Sequence, residues 1–118
     1  MNDYIKFAGL VLLIDLLWIT QSFHKPQYER VQKTPFIVDK SAAFLFYLFA
    51  PLAYTQFIKP LSTSKQEAFK KGALMGFLMY MTYDFTNKAV FTEYQWDYAI
   101  KDALWGSFVF GLVSYLIY

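Results

Sequence analysis

Cysteine is absent from the 118-residue chain. There can be no disulfide, no thiolate metal site and no cysteine nucleophile, and the redox compartment leaves no trace in the sequence. Histidine occurs once, at His24, and one imidazole cannot build a histidine metal site alone. Charge is scarce as well. Asp, Glu, Lys and Arg make up 17% of the residues and the net charge is +2, too mild to attract nucleic acid or another polyanion. No glycine-rich phosphate loop, linker or low-complexity stretch interrupts the chain. Its length allows one domain at most, residues 1–118.

Apolar residues are abundant instead. They account for 57% of the chain, and Phe, Tyr and Trp alone for 22%, more than a small water-soluble core can hide. This excludes intrinsic disorder and places the protein in a bilayer. Four apolar stretches stand out, at about residues 5–23, 41–58, 68–90 and 98–118. Each approaches the roughly 20 residues that cross ~30 Å of hydrocarbon. None alternates apolar with polar residues as barrel strands do. The expectation is an all-α integral membrane protein: a four-helix bundle of antiparallel, up-down neighbours joined by short polar loops. The first stretch reads as a retained helix, because it has no basic n-region or Ala-x-Ala cleavage site and carries Asp15 in its middle. Pro51 is expected to kink the second helix. His24–Lys40 reads as a polar connection, with His24 at the interface. Tyr94, Trp96 and Tyr98 alternate through the last loop, a pattern suited to an aromatic belt. Five basic residues on one face oppose six on the other, so the positive-inside rule leaves the orientation open. The membrane involved is equally unspecified.

Three carboxylates lie inside apolar stretches: Asp15, Asp84 and Asp102. A charge at mid-bilayer costs about 2.5–3.5 kcal/mol on insertion scales, so such residues turn inward and carry a functional reading by default. From the stretch ends their depths are ~12, ~9 and ~6 Å, all below the same face although the helices alternate in direction. Asp15-Leu16-Leu17-Trp18 reappears as Asp102-Ala103-Leu104-Trp105, and Asp and Trp three apart share a helix face. A pseudo-twofold axis in the membrane plane would relate two such helices. In the third stretch Tyr80, Asp84, Asn87 and Lys88 share one side, with Tyr83 beside them. Tyr47 reaches the same depth from the second. The candidate site is therefore Asp15, Trp18, Tyr47, Tyr80, Tyr83, Asp84, Asn87, Asp102 and Trp105. Carboxylates crowded at low dielectric cannot all ionise, and a shared proton or a bound cation would relieve them. The structural alternative is that these groups tie helices together at about 0.6 kcal/mol per hydrogen bond, with Lys88 or Lys101 snorkelling to neutralise an acid. Gly72 and Gly76 form a small-xxx-small pair of the kind that lets helices approach closely.

These residues also resemble a known group. Asp15 and Trp18, Gly72 and Gly76, Tyr80, Tyr83, Asp84, Thr86 and Asn87, then Asp102, Trp105 and Gly106 are similar to the pattern of small predicted membrane proteins collected as domain of unknown function 2177. Phe46, Tyr47 and Leu48 fit its second helix. The resemblance spans nearly the whole chain. Phe85 stands where the group usually has Leu, and the loops here are short and Lys-rich. The resemblance implies a four-helix integral membrane protein and supplies no reaction.

Three functions compete on the residues alone. A small proton or cation transporter or channel would use the carboxylate cluster, and so small a protomer would require a homo-oligomer. A lipid- or pigment-binding bundle, or a scaffold subunit of a larger membrane complex, would use the aromatic surface. A membrane-embedded accessory enzyme of lipid metabolism would need the acids as an acid–base pair or as divalent-metal ligands. No cofactor is specified, and beyond the bilayer and a protein partner none is implied.

Overall fold

A computed structural model describes residues 2–118. The helices are α1 (Asp3–Ile19), α2 (His24–Gln32), α3 (Lys40–Phe49), α4 (Lys65–Val90) and α5 (Trp96–Ile117). Beyond α3 the chain runs on through a π turn (Ala53–Ile58) and a 3-10 turn (Lys59–Leu61). No strand occurs among the described residues.

Two segments, Lys40–Leu61 and α5, are long and apolar enough to cross a membrane. At 22 residues each reaches ~33 Å. α1 and α2 pass together but are bent by 80° at the break between them. α4 is the longest helix, with 26 residues, but is not apolar enough throughout. The four apolar stretches thus become two clear spans, a bent pair, and one helix whose ends are polar.

Contacts fix the directions. Asp3 pairs with Lys59, Phe7 stacks on Tyr54 at 5.5 Å and Tyr47 reaches Asp15, so α1 and the α3 segment are antiparallel. Phe7 meets Phe110 edge-on at 5.1 Å while Asp15 meets Trp105, so α1 and α5 are antiparallel too. α4 and α5 pack closely because glycines remove the side chains between them. A Cβ on Gly72 would lie 2.6 Å from the Phe110 carbonyl oxygen, and one on Gly76 2.1 Å from that of Gly106. The end of α5 meets the start of α4 and the turn before it, where Tyr118 donates to the Ser62 carbonyl and Lys65 to that of Tyr115. Phe7, Val11, Tyr54, Ile58, Val109, Phe110 and Val113 are buried in this half of the bundle. Outside it, Leu13, Leu17, Phe44 and Leu104 remain 57–67% exposed, as side chains facing lipid must.

The connection at 24–40 is not merely a loop. Residues 24–32 form α2, with Pro26 in the first turn, where its missing N–H costs no hydrogen bond. Lys33 then closes the helix in the left-handed region, at φ 64°. A nine-residue helix needs only one covered face and no long apolar run, which is why hydropathy passes over it. The Phe36 N–H donates to Glu29 at 2.7 Å, and Phe36 stacks on Tyr28 at 5.5 Å, folding the following segment back over α2.

The break expected at Pro51 takes the form of the π turn that follows it. Tyr4 donates to the Leu48 carbonyl in the turn before it, so a neighbouring helix serves the disturbed backbone.

Caps start the helices. Asn2 accepts from Ile5 N–H, Ser64 from Glu67 N–H, and Asp39 from Ser41 and Ala42 N–H. The Ser41 hydroxyl and then these amides hold the Asp39 carboxyl below its ordinary range. A depressed acid stabilises above its unfolded pKa of about 3.9 and loses that contribution as pH falls through the folded value. The α3 N-terminus is therefore expected to fray selectively below about pH 4. Faster amide exchange at Ser41 and Ala42, but not at the Ser64-capped end of α4, is the measurement that checks it.

Candidate functional site

The two Asp-x-x-Trp elements meet face to face. Trp105 Nε1 donates to Asp15 Oδ1 at 2.7 Å, and Trp18 Nε1 donates to Asp102 Oδ1 at 3.0 Å. Each helix thus offers its carboxylate to the other's indole. The indoles stack between the two bonds, with centroids 4.9 Å apart and planes 7° from parallel. Antiparallel packing of α1 against α5 brings the two copies into this reciprocal register. Tyr47 completes Asp15 from α3, donating to Oδ2 at 2.7 Å.

Asp84 stands on α4, fully buried. Tyr94 donates to its Oδ1 at 2.5 Å. Burial, and then the bond to Asp84, hold the Tyr94 phenol well above its ordinary range, so it remains a donor. Asp84 Oδ2 is buried without a hydrogen-bond donor, and the neighbouring carboxyl is that of Asp102.

His24 opens α2 and is buried. Its Nε2 lies 2.7 Å from the Trp18 carbonyl oxygen, which can only accept, so Nε2 carries a proton. Nδ1 lies 2.7 Å from the Tyr98 hydroxyl, so both ring nitrogens are engaged. Tyr28 and Tyr83 share a further bond at 2.8 Å.

Beside these groups lies an open-mouthed cavity of about 450 Å³. Six expected residues line it: Asp15, Trp18, Tyr47, Tyr80, Tyr83 and Asp102. Asp84 and Trp105 are absent from its wall but hold residues that form it or flank it. Asn87 is not brought in. It does not line the cavity, and among the described residues no side-chain hydrogen bond ties it to the cluster.

Two further expectations are corrected. Tyr94 and Tyr98 are 1% and 5% exposed, so they belong to the interior, and only Trp96, at 60%, faces outward as a belt residue would. His24 is buried between Trp18 and Tyr98, with both ring nitrogens engaged. Lys88 and Lys101 neutralise no acid. Their ammonium groups lie over the Trp96 and Phe23 rings at 5.8 and 5.5 Å. Among the described residues the ion pairs are Lys59–Asp3 and Lys71–Glu67, both away from the cavity. Sequence reading missed His24, Tyr28, Phe36, Tyr94 and Tyr98 as contributors. Tyr94, Tyr98, Asp102 and Trp105 follow at i, i+4, i+8 and i+11, a helical stripe that could have extended the site toward the loop.

Three carboxyls converge among phenol and indole donors without a basic partner. Among the described residues no three His, Cys, Asp or Glu side chains are arranged to hold a metal ion.

Apolar spans, outward-facing Leu and Phe, and polar groups gathered inside define an all-helical membrane protein. The chain belongs to the family described as predicted membrane protein (DUF2177), which matches residues 1–118. No curated protein and no solved structure matches it.

Proposed function

We propose that the protein is a multi-pass membrane protein whose acid- and aromatic-lined cavity binds a small amphipathic molecule. α1, the Lys40–Leu61 segment, α4 and α5 each cross the bilayer in this reading, forming four antiparallel passes. α4 can do so because Tyr80 and Asp84 turn inward while Lys65, Lys70, Lys71 and Lys88 lie near its ends. α2 lies along the interface, bent 80° from α1.

The observation that carries the reading is the cavity itself. At about 450 Å³ it falls in the ~300–1,000 Å³ range of small-molecule sites, and it combines mostly aromatic walls with a few convergent polar groups. The other half of the bundle is filled by Phe7, Val11, Tyr54, Phe110 and Val113. That dry packing favours a dead-end binding cleft over a path through one protomer, and conduction would require a second copy.

Protein purified in lipid nanodiscs is expected to retain an extractable amphipathic molecule at near one per chain, detected by mass spectrometry. Met79→Trp, which fills the cavity wall, is expected to lose it. Equal recovery from both proteins, or none from the wild type, would count against the reading.

One observation favours proton or cation movement as a second reading. Asp84 Oδ2, buried beside Asp102 without a donor, is a place for a transferable proton or a cation. It predicts a proton flux in liposomes that Asp84→Asn abolishes. Flux unchanged in that variant removes this reading.

A further inference from the structure

The cavity does not end at the acids. Phe46 and Met79 form part of its wall, and the same two side chains also wall a second depression of about 460 Å³ on the lipid side of α3 and α4. This second space has a different character. It is lined by Leu45, Phe49, Ala50, Ala53, Phe57 and Met75, with no charged side chain. Its floor is shallow in side-chain bulk because Ala50 and Ala53 flank Pro51, where the helix passes into its π turn. From position 49 to 57 the groove follows the helix for ~12 Å. An acid-lined chamber and an apolar trough therefore share one partition.

We propose that the two spaces form one site for a single-chain amphiphile with a cationic head, an alkylammonium. The head would occupy the chamber and the chain the groove, passing between Phe46 and Met79. This rests on the ligand-binding reading above and names its ligand class.

Charge selects the head. Asp15 and Asp102 open onto the chamber, and among the described residues neither forms an ion pair. Their partners are indole and phenol donors rather than cations, which leaves both acids open to a cationic head. His24 is committed to Trp18 and Tyr98 and pairs with neither acid. The nearby Lys88 and Lys101 are held over outer rings. Trp18, Tyr28, Tyr80 and Tyr83 add aromatic rings to the wall, and a ring face attracts a desolvated ammonium more than an alcohol. A carboxylate head would crowd a further acid against Asp15 and Asp102, with no Lys or Arg paired to them.

Four probes test this on full-length protein in phosphatidylcholine nanodiscs, with empty nanodiscs subtracted: dodecylamine, dodecanol, dodecanoate and butylamine. Quenching of the stacked Trp18–Trp105 pair is read in a Trp96→Phe background. Dodecylamine is expected to bind saturably, at least tenfold tighter than dodecanol, dodecanoate or butylamine. Asp102→Asn is expected to reduce the amine-over-alcohol preference below twofold while Asp102→Glu keeps it. Ala53→Phe, which fills the groove and leaves the acids in place, is expected to erase the advantage of dodecylamine over butylamine. Helical circular dichroism matching the wild type qualifies each variant. Dodecanol bound as tightly as dodecylamine overturns the cationic head but leaves the ligand-binding reading standing. Failure of all four probes to saturate the folded protein overturns both. An undiminished chain-length preference in Ala53→Phe overturns the groove.

Discussion

Gly76→Ala is expected to loosen the bundle more than any other single methyl group added to the chain. The new Cβ would lie 2.1 Å from the Gly106 carbonyl oxygen and 2.7 Å from Phe110 Cβ. A backbone carbonyl cannot swing aside as a side-chain tip can, so α4 and α5 must separate. Overpacking costs typically about 1–3 kcal/mol, and contact with immobile backbone places this variant at the upper end. The separation would propagate, because Tyr80, one turn further along α4, packs against Gly106 and lines the cavity. Gly9→Ala is the control. Nothing lies within 4 Å of its added Cβ, and alanine is the better helix former by about 1 kcal/mol. Denaturant titration in detergent micelles should therefore show the two Gly→Ala changes moving in opposite directions.

The small-residue spacing at Gly72 and Gly76 was one of the clearest signals in the sequence, because close helix approach needs residues without bulk. The acids were legible for a related reason: an apolar run that carries Asp15, Asp84 or Asp102 must turn that residue inward. Counting residues from the membrane face could place all three at one level, but could not say how they meet. The reciprocal Asp–Trp bonds depend on the relative rotation and register of α1 and α5, which the repeated four-residue pattern expresses only as a symmetry. What stayed hidden was structure that hydropathy does not encode. α2 is polar almost throughout, and its inward face depends on His24 and Tyr28, residues that read equally well as loop. Tyr94 and Tyr98 were misread because alternation along a loop stops meaning opposite faces once α5 begins at Trp96. Asn87 went the other way, since helical spacing puts it near Asp84 but fixes neither its rotamer nor its partner.

Replacing Asp15 separates the two roles that the carboxylates can play. In Asp15→Ala, Tyr47 Oη–H and Trp105 Nε1–H both lose their acceptor. A buried unsatisfied donor costs about 1–3 kcal/mol in general, whereas helix-tying hydrogen bonds in bilayers average ~0.6 kcal/mol because alternative partners are found. Tyr47 is only half-buried and can turn toward the cavity mouth, but the Trp105 indole is held by its stack on Trp18. The expected loss is therefore about 2 kcal/mol, most of it from the indole. Asp15→Asn should cost less than about 1 kcal/mol, because its amide oxygen still accepts from Trp105 and its NH₂ can donate to the Tyr47 oxygen. The same logic applies to Asp102 and Trp18. A double-mutant cycle between Asp15→Asn and Asp102→Asn, read once as unfolding free energy and once as ligand retention, distinguishes helix tie from binding group. If the acids serve only as acceptors, the Asn variants keep both stability and ligand. If their charge matters to the occupant, stability stays within ~1 kcal/mol of the wild type while retention falls at least tenfold, a loss worth about 1.4 kcal/mol of binding.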